Sequence, residues 1–332
     1  MNPTVIGEGR SVLATEEQRD AAVDELLNRL DKLHSSPVIA LQVMEQTKDP
    51  DFEIADVATC LDHDPALAAS ILRLVNSSYY GLSQTVTSLP HAVTYLGRRP
   101  LRLAVLSFGL VKTLVNGAPA QFHQMYWKRS LTMAAAARKC AELTDDRDVN
   151  PDSAFAAGLL ADLGMLVVAQ LETERYVEIA EEPDHTIALV KAERLQFGYD
   201  HMAVGQRLLE KWELPAELVE AVANHHTYLP LSPTLNHILL TANLMTEVLW
   251  NPACAYMQPL QQVLNRRLGL EVDDLITLAL ATETAMNESL DIFGVQLDGK
   301  INLDEVEQQA REQYEQAALD SEDFLGGLET LG

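Results

Sequence analysis

The chain has 332 residues, 47% hydrophobic and 22% charged, a balance that suits a globular protein burying about 75% of the surface its unfolded form exposes. Asp and Glu number 49 against 24 Lys and Arg, and the resulting charge of −25 disfavours nucleic acid and anionic membranes as partners. The same composition excludes global disorder and fibrous repeats.

Almost every periodic segment reads as helix, so the sequence predicts an all-α fold. Residues 1–14 read as a loose arm, without the basic and then apolar stretch of an export signal. Thr15 and Gln18 have capping-box spacing and open the first helix. Ile54, Val57, Ala58 and Leu61 make one apolar stripe. Asp64-Pro65 follows as an N-cap and first-turn proline for a helix carrying Leu67, Ile71, Leu74 and Val75. Gln84 to Thr87 has room to be extended. Arg98, Arg99 and Arg102 form the one local basic cluster, read as a solvated helix surface, with contact to a phosphate or an acidic partner as the alternative. Val115 to Pro119 closes a first helical set.

In the second set, residues 154–170 read as one apolar helix carrying Asp162, and the longest apolar stretch, 155–171, is interrupted by that aspartate and falls short of the ~20 residues a bilayer span needs. Asp200 precedes a helix facing inward through Val204, Leu208, Leu209 and Trp212, and Pro215 starts another through Leu218 and Val222. Residues 228–233, YLPLSP, make a break. Further helices are predicted at 234–251, 256–269, 272–290 and 303–318. The last fifty residues carry thirteen acids and two bases, a solvated acidic face or a docking face for a protein. The stretch 298–304 fails as a calcium loop because its glycine is misplaced and the closing glutamate is missing. Cys60, Cys140 and Cys254 are odd in number and far apart, so buried free thiols in a reducing cytoplasm are expected, not a disulfide framework.

Asp162 carries the most information. A carboxylate on the face of Leu159, Leu166 and Ala169 must be hydrogen-bonded, paired or bound to metal. His201, His225 and His226 are candidates to converge on it, either as a metal site that activates water or as a hydrogen-bonded structural cluster. Adjacent His225 and His226 are not expected to face one ion comfortably. Signatures of serine hydrolases, P-loops, dinucleotide folds and HExxH zinc enzymes are absent.

From about Leu33 to Tyr228 the chain resembles the HDOD family, the HD-related output domains of bacterial signalling proteins. The resemblance rests on Ser36-Pro37-Val38, Asp62 to Leu67, Leu72 to Ser77, Tyr80-Gly81, Val86 to Leu89, Ala92 and Leu96-Gly97 with its arginines. It continues through Trp127, Ser130, Ala157 to Leu160, Asp162-Leu163-Gly164, Phe197 to His201, Val222 and His225-His226. What the resemblance implies is a multi-helix HD-like bundle with an N-terminal helical subdomain and a C-terminal helical extension. The boundaries expected are an arm at 1–16, an HDOD domain at 17–233 divided at 118/119, and an extension at 234–332 with an acidic tail.

The HD superfamily proper consists of metal-dependent phosphohydrolases. Against that pattern the paired His-Asp signature reads Ala161-Asp162 here, the early ligand histidine falls near Lys128-Arg129-Ser130, and the late ligand aspartate appears as Asn243. Asp162, His201, His225 and His226 remain, and pairing of Asp162 with Arg129 is expected from the alignment. The resemblance thus implies a vestigial pocket with no catalytic residue, no metal and no cofactor. It implies a cytoplasmic, non-catalytic signalling module that recognises signalling proteins or a nucleotide second messenger. The alternatives are a metal phosphohydrolase using Asp162, His201 and His225 with His226 in reserve, and a nucleotide sensor whose phosphate meets Arg98, Arg99 or Arg129.

Overall fold

The computed structural model describes residues 15–33, 38–78, 80–144, 149–180, 186–228 and 233–329. The arm at 1–14, the Ser36-Pro37 pair and most of the 228–233 break lie outside the described residues. Those described are predominantly helical and contain no strand.

Helices α1 (Glu16–Leu33), α2 (Val38–Gln46), α3 (Ile54–Asp62), α4 (Pro65–Val75), α5 (Leu89–Leu96) and α6 (Arg98–Gly117) come first. Local chemistry starts several of them. The Thr15 amide donates to Gln18 Oε1 at 2.9 Å while the Gln18 amide donates to Thr15 Oγ1, a reciprocal cap on α1. Asp64 Oδ1 accepts from the Ala66 and Leu67 amides, and Pro65 supplies a first-turn residue with no amide to satisfy. Gly97, at φ +68°, turns the chain sharply from α5 into α6.

The central helix α7 (Ala120–Leu143) follows, then α8 (Pro151–Leu160), α9 (Leu163–Leu171), α10 (Thr173–Ala180), α11 (Thr186–Phe197), α12 (His201–Lys211) and α13 (Ala216–Asn224). The last four are α14 (Thr234–Trp250), α15 (Met257–Val263) running into a π-helical turn at Leu264–Leu268, α16 (Val272–Phe293) and α17 (Leu303–Glu329). The helix expected at 256–269 is therefore two elements, and the last helix continues past residue 318.

One apolar core joins α2 to α6; a second, larger one is built around α7 and α8. Close approach makes the second core possible. Ala134 to Ala137 are fully buried, and a Cβ at Gly158 would lie 2.7 Å from the Ala134 backbone. Helix α1 packs on the second core through Val23, Leu26, Leu27 and Leu30. Phe293, at the end of α16, touches both cores: its ring lies 4.5 Å from Phe108 and 5.2 Å from Trp127.

The single helix predicted at 154–170 is two. The chain leaves helical pairing at Ala161-Asp162, and Asp162 becomes the residue before α9, with φ −90° and ψ 12°. Its side chain makes no capping bond to α9, being held by other groups. The segment Pro151–Leu171 is, by length and composition, apolar enough to cross a membrane, contrary to the sequence expectation, but 89% of its apolar window is buried inside the fold. Cys60, Cys140 and Cys254 are free and buried, and burial pushes the Cys140 thiol up to about 12.

Candidate functional site

Four helix ends and two helix faces bring a polar cluster into the second core. Asp162 comes from the α8–α9 break, His201 from the first residue of α12, and His225 and His226 from the end of α13. Arg129 projects from α7 and Asn243 from α14. Asp162, His201 and His225 are 0% exposed, so water does not compensate their charges.

Arg129 Nε donates to Asp162 Oδ2 at 2.7 Å, Arg129 Nη1 to Glu247 Oε1 at 2.5 Å, and Arg129 Nη2 to Asn243 Oδ1 at 3.0 Å. Burial opposes the arginine's charge, but Asp162 and Glu247 overcome it and keep the guanidinium protonated. Burial likewise opposes ionisation of Asp162, yet Arg129, His225 and His201 hold its carboxyl well below the usual carboxylate range.

The direction of the hydrogen bonds can be read outward from Arg129, which only donates. Asn243 Oδ1 therefore accepts, and its Nδ2 donates to His226 Nδ1 at 2.9 Å. With Nδ1 accepting, His226 carries its hydrogen on Nε2, which lies 3.1 Å from His201 Nε2. His201 is fixed from the other side: its Nδ1 donates to Glu193 Oε2 at 2.7 Å, leaving Nε2 to accept. The same Glu193 oxygen accepts the His201 amide, and Glu193 Oε1 accepts the Tyr176 hydroxyl at 2.8 Å. His225 Nδ1 donates to the Val222 carbonyl at 2.7 Å, and its Nε2 lies 3.3 Å from Asp162 Oδ1. The cluster thus closes on itself through its own hydrogen bonds, with Arg129 as the cation on the Asp162 carboxylate.

Burial, together with the neighbouring His225 and His201, pushes His226 well below its ordinary value, in keeping with a neutral ring. For His201 burial works downward, and Glu193 outweighs it to leave the ring above its ordinary value. Tyr176 is raised by burial and by Glu193, so it stays a hydroxyl donor.

Residues 33–228 match the HDOD domain family. The chain belongs to the HDOD family. This HDOD chain is 24% identical over 209 residues to an uncharacterized protein of Treponema pallidum (strain Nichols), and the match spans 63% of the chain but only 40% of that relative. An HDOD domain protein of unknown function from Geobacter sulfurreducens superimposes with a TM-score of 0.61 at 24% identity, covering 84% of this chain and 97% of the other. A Shewanella amazonensis SB2B protein described as "Putative phosphohydrolase" gives 0.61 at 23%, covering 81% and 97%. At these identities the likeness is one of fold. HDOD domains are related to the HD phosphohydrolases, whose metal centre makes the donor set here a test case.

One ligand atom from each of Asp162, His201, His225 and His226 lies within 4.8 Å of the others. Adjacent His225 and His226 do turn to the same point, contrary to the sequence expectation: α13 ends at Asn224, so the two residues are not bound to helical spacing. The donors nevertheless do not fit the HD centre. Asp162 Oδ2 is occupied by Arg129, His226 Nε2 is a donor in the network, and Ala161 and Asn243 offer a methyl group and a neutral amide. A fixed guanidinium beside the site adds repulsion toward a divalent ion.

The structure brings together Arg129, Ala161, Asp162, His201, His225, His226 and Asn243 and keeps Arg98, Arg99 and Arg102 apart from them, around a separate pocket. Sequence reasoning missed Glu193, Tyr176 and Glu247. Glu247 was within reach, one helical turn after Asn243 on α14. Glu193 had no local signal, since it meets His201 across the α11–α12 turn.

Proposed function

We propose that this HDOD chain is a non-catalytic signalling module, working in the cytoplasm, that recognises a protein or small ligand and passes on a state through its helical scaffold. The observation that carries this reading is the Arg129–Asp162 pair at 2.7 Å inside a closed proton network. Hydrolysis of a phosphodiester needs a metal to generate hydroxide and an open position for substrate. Here a cation occupies the carboxylate, and three of the four candidate ligands are fully buried. The family's signalling association and three free buried cysteines, which suit a reducing compartment, support the same reading.

A second reading, a degenerate phosphohydrolase, is favoured by the convergence of three imidazoles and one carboxylate within 4.8 Å. A hydrolysis screen separates the two. Full-length protein incubated with Mn, Fe, Zn or Mg is expected to leave phosphodiester and nucleotide substrates intact. Metal-dependent turnover that disappears in Asp162→Ala would overturn the signalling reading.

A further inference from the structure

On a chain of charge −25, four cations gather at one pocket of about 460 Å³ formed by α2, the start of α6, the start of α8 and the start of α13. Two of them are already neutralised. Lys48 pairs with Glu45 at 2.7 Å and with Glu213 at 3.3 Å, and Arg99 pairs with Glu217 at 2.9 Å. Arg98 is not, and Arg102 has only the nearby charge of Glu45, which is itself paired with Lys48. Among the described residues Arg102 donates to the Met44 carbonyl and Thr47 Oγ1, both uncharged, and Arg98 makes no ion pair. Arg98 and Arg102 stand four apart on one helix, where like charges face each other and destabilise.

Local backbone adds to the positive field. Helices α6 and α13 both begin at the pocket, and neither N-cap, Gly97 or Pro215, offers a side chain to the first amides. The floor is apolar, made by Met44, Leu103 and Leu106. A volume of this size, an apolar floor, the guanidinium of Arg98 without an ion pair among the described residues and that of Arg102 beside it match a small-molecule site better than a solvated surface.

We propose that this pocket binds a phosphorylated small molecule, its phosphate held by Arg98 and Arg102 and its apolar part seated on Met44 and Leu103. The proposal goes beyond the signalling reading and does not depend on it, since a chain that hydrolysed phosphodiesters would carry the same pocket.

Calorimetric titration of the full chain at low salt with GMP and with inorganic phosphate tests it. GMP is expected to bind more tightly than inorganic phosphate, because only GMP reaches the apolar floor. Arg98→Glu, an exposed position, is expected to weaken GMP by about tenfold or more, the worth of one charge-assisted contact. Arg311→Glu on α17 serves as a charge control and should leave binding within about twofold, as a screened distant charge must. Arg102→Gln should weaken GMP similarly, with circular dichroism checking its fold, and Arg98→Glu decides alone if that variant unfolds. Absence of heat with both probes, equal affinity for the two, or equal losses in Arg98→Glu and Arg311→Glu would each overturn the proposal.

Discussion

Arg129 reaches Asp162 from a different helix and closes on it at 2.7 Å, with the aspartate fully buried and the arginine side chain 12% exposed. Their pairing places a fixed internal cation on the buried carboxylate. Removing Arg129 leaves the buried Asp162 and the nearly buried Glu247 without their shared cation, and removing Asp162 leaves Arg129 to Glu247 alone. Arg129→Met alone or Asp162→Leu alone should therefore cost about 3–5 kcal/mol in urea unfolding, and the double variant should recover much of that loss. Additive losses would show that the pair acts as two independent residues.

The histidines give the protein a pH signature with two opposite signs. His226 sits below its ordinary 6.5 when folded, so its contribution is present above that value and is lost as pH falls below it, when the unfolded chain gains a proton that the fold refuses. His201 sits above 6.5, so its contribution is full below that value and fades as pH rises through the folded range. Stability of His226→Gln compared with wild type should show a difference that changes below pH 6.5, and that of His201→Gln a difference that changes above it. Parallel pH profiles for both variants would contradict the network as described.

Gly164 sets the distance between α9 and α12. A Cβ there would fall 2.0 Å from the His201 carbonyl oxygen and 2.9 Å from the Gly205 amide nitrogen, both backbone atoms. Gly164→Ala must push α12 away, at a cost of about 1–3 kcal/mol or more, and must loosen the Glu193–His201 bond with it. The checks are thermal unfolding and histidine side-chain NMR. An unshifted His201 signal would mean that the glycine is not what positions the ring.

Phe293 ties the C-terminal extension to both cores, lying 4.5 Å from Phe108 and 5.2 Å from Trp127. Phe293→Ala should cost about 3–5 kcal/mol if the cavity stays open, and should change tryptophan emission through Trp127. A loss confined to the extension, with the HDOD portion still melting as wild type, would show that α16 is merely appended.

Much of this was legible in the sequence. Asp64-Pro65 announces its own helix start, and a lone aspartate among Leu159, Leu166 and Ala169 by itself demands a buried polar partner. The less legible features are those where tertiary packing overrides local pattern. The run from Ala154 to Gln170, apolar but for Asp162, carries no signal for a helix break at Ala161-Asp162, where the aspartate meets Arg129 and His225. Two adjacent histidines point the same way because the chain leaves α13 between Asn224 and His226, a detail of helix ending that periodicity does not encode. Glu193 lies on a helix whose apolar pattern is weak, and only the fold reveals that its carboxylate serves both His201 and Tyr176.

Long-range ¹H–¹⁵N spectra of the histidine rings, recorded before and after one equivalent of Mn²⁺, address the core of the account most directly. Three resolved rings are expected, with the hydrogen of His226 on Nε2 and a hydrogen of His201 on Nδ1, and with no broadening on adding the ion. Stoichiometric paramagnetic loss of those three signals together would mean that the cluster holds a metal, not a proton, and that Arg129 does not exclude it.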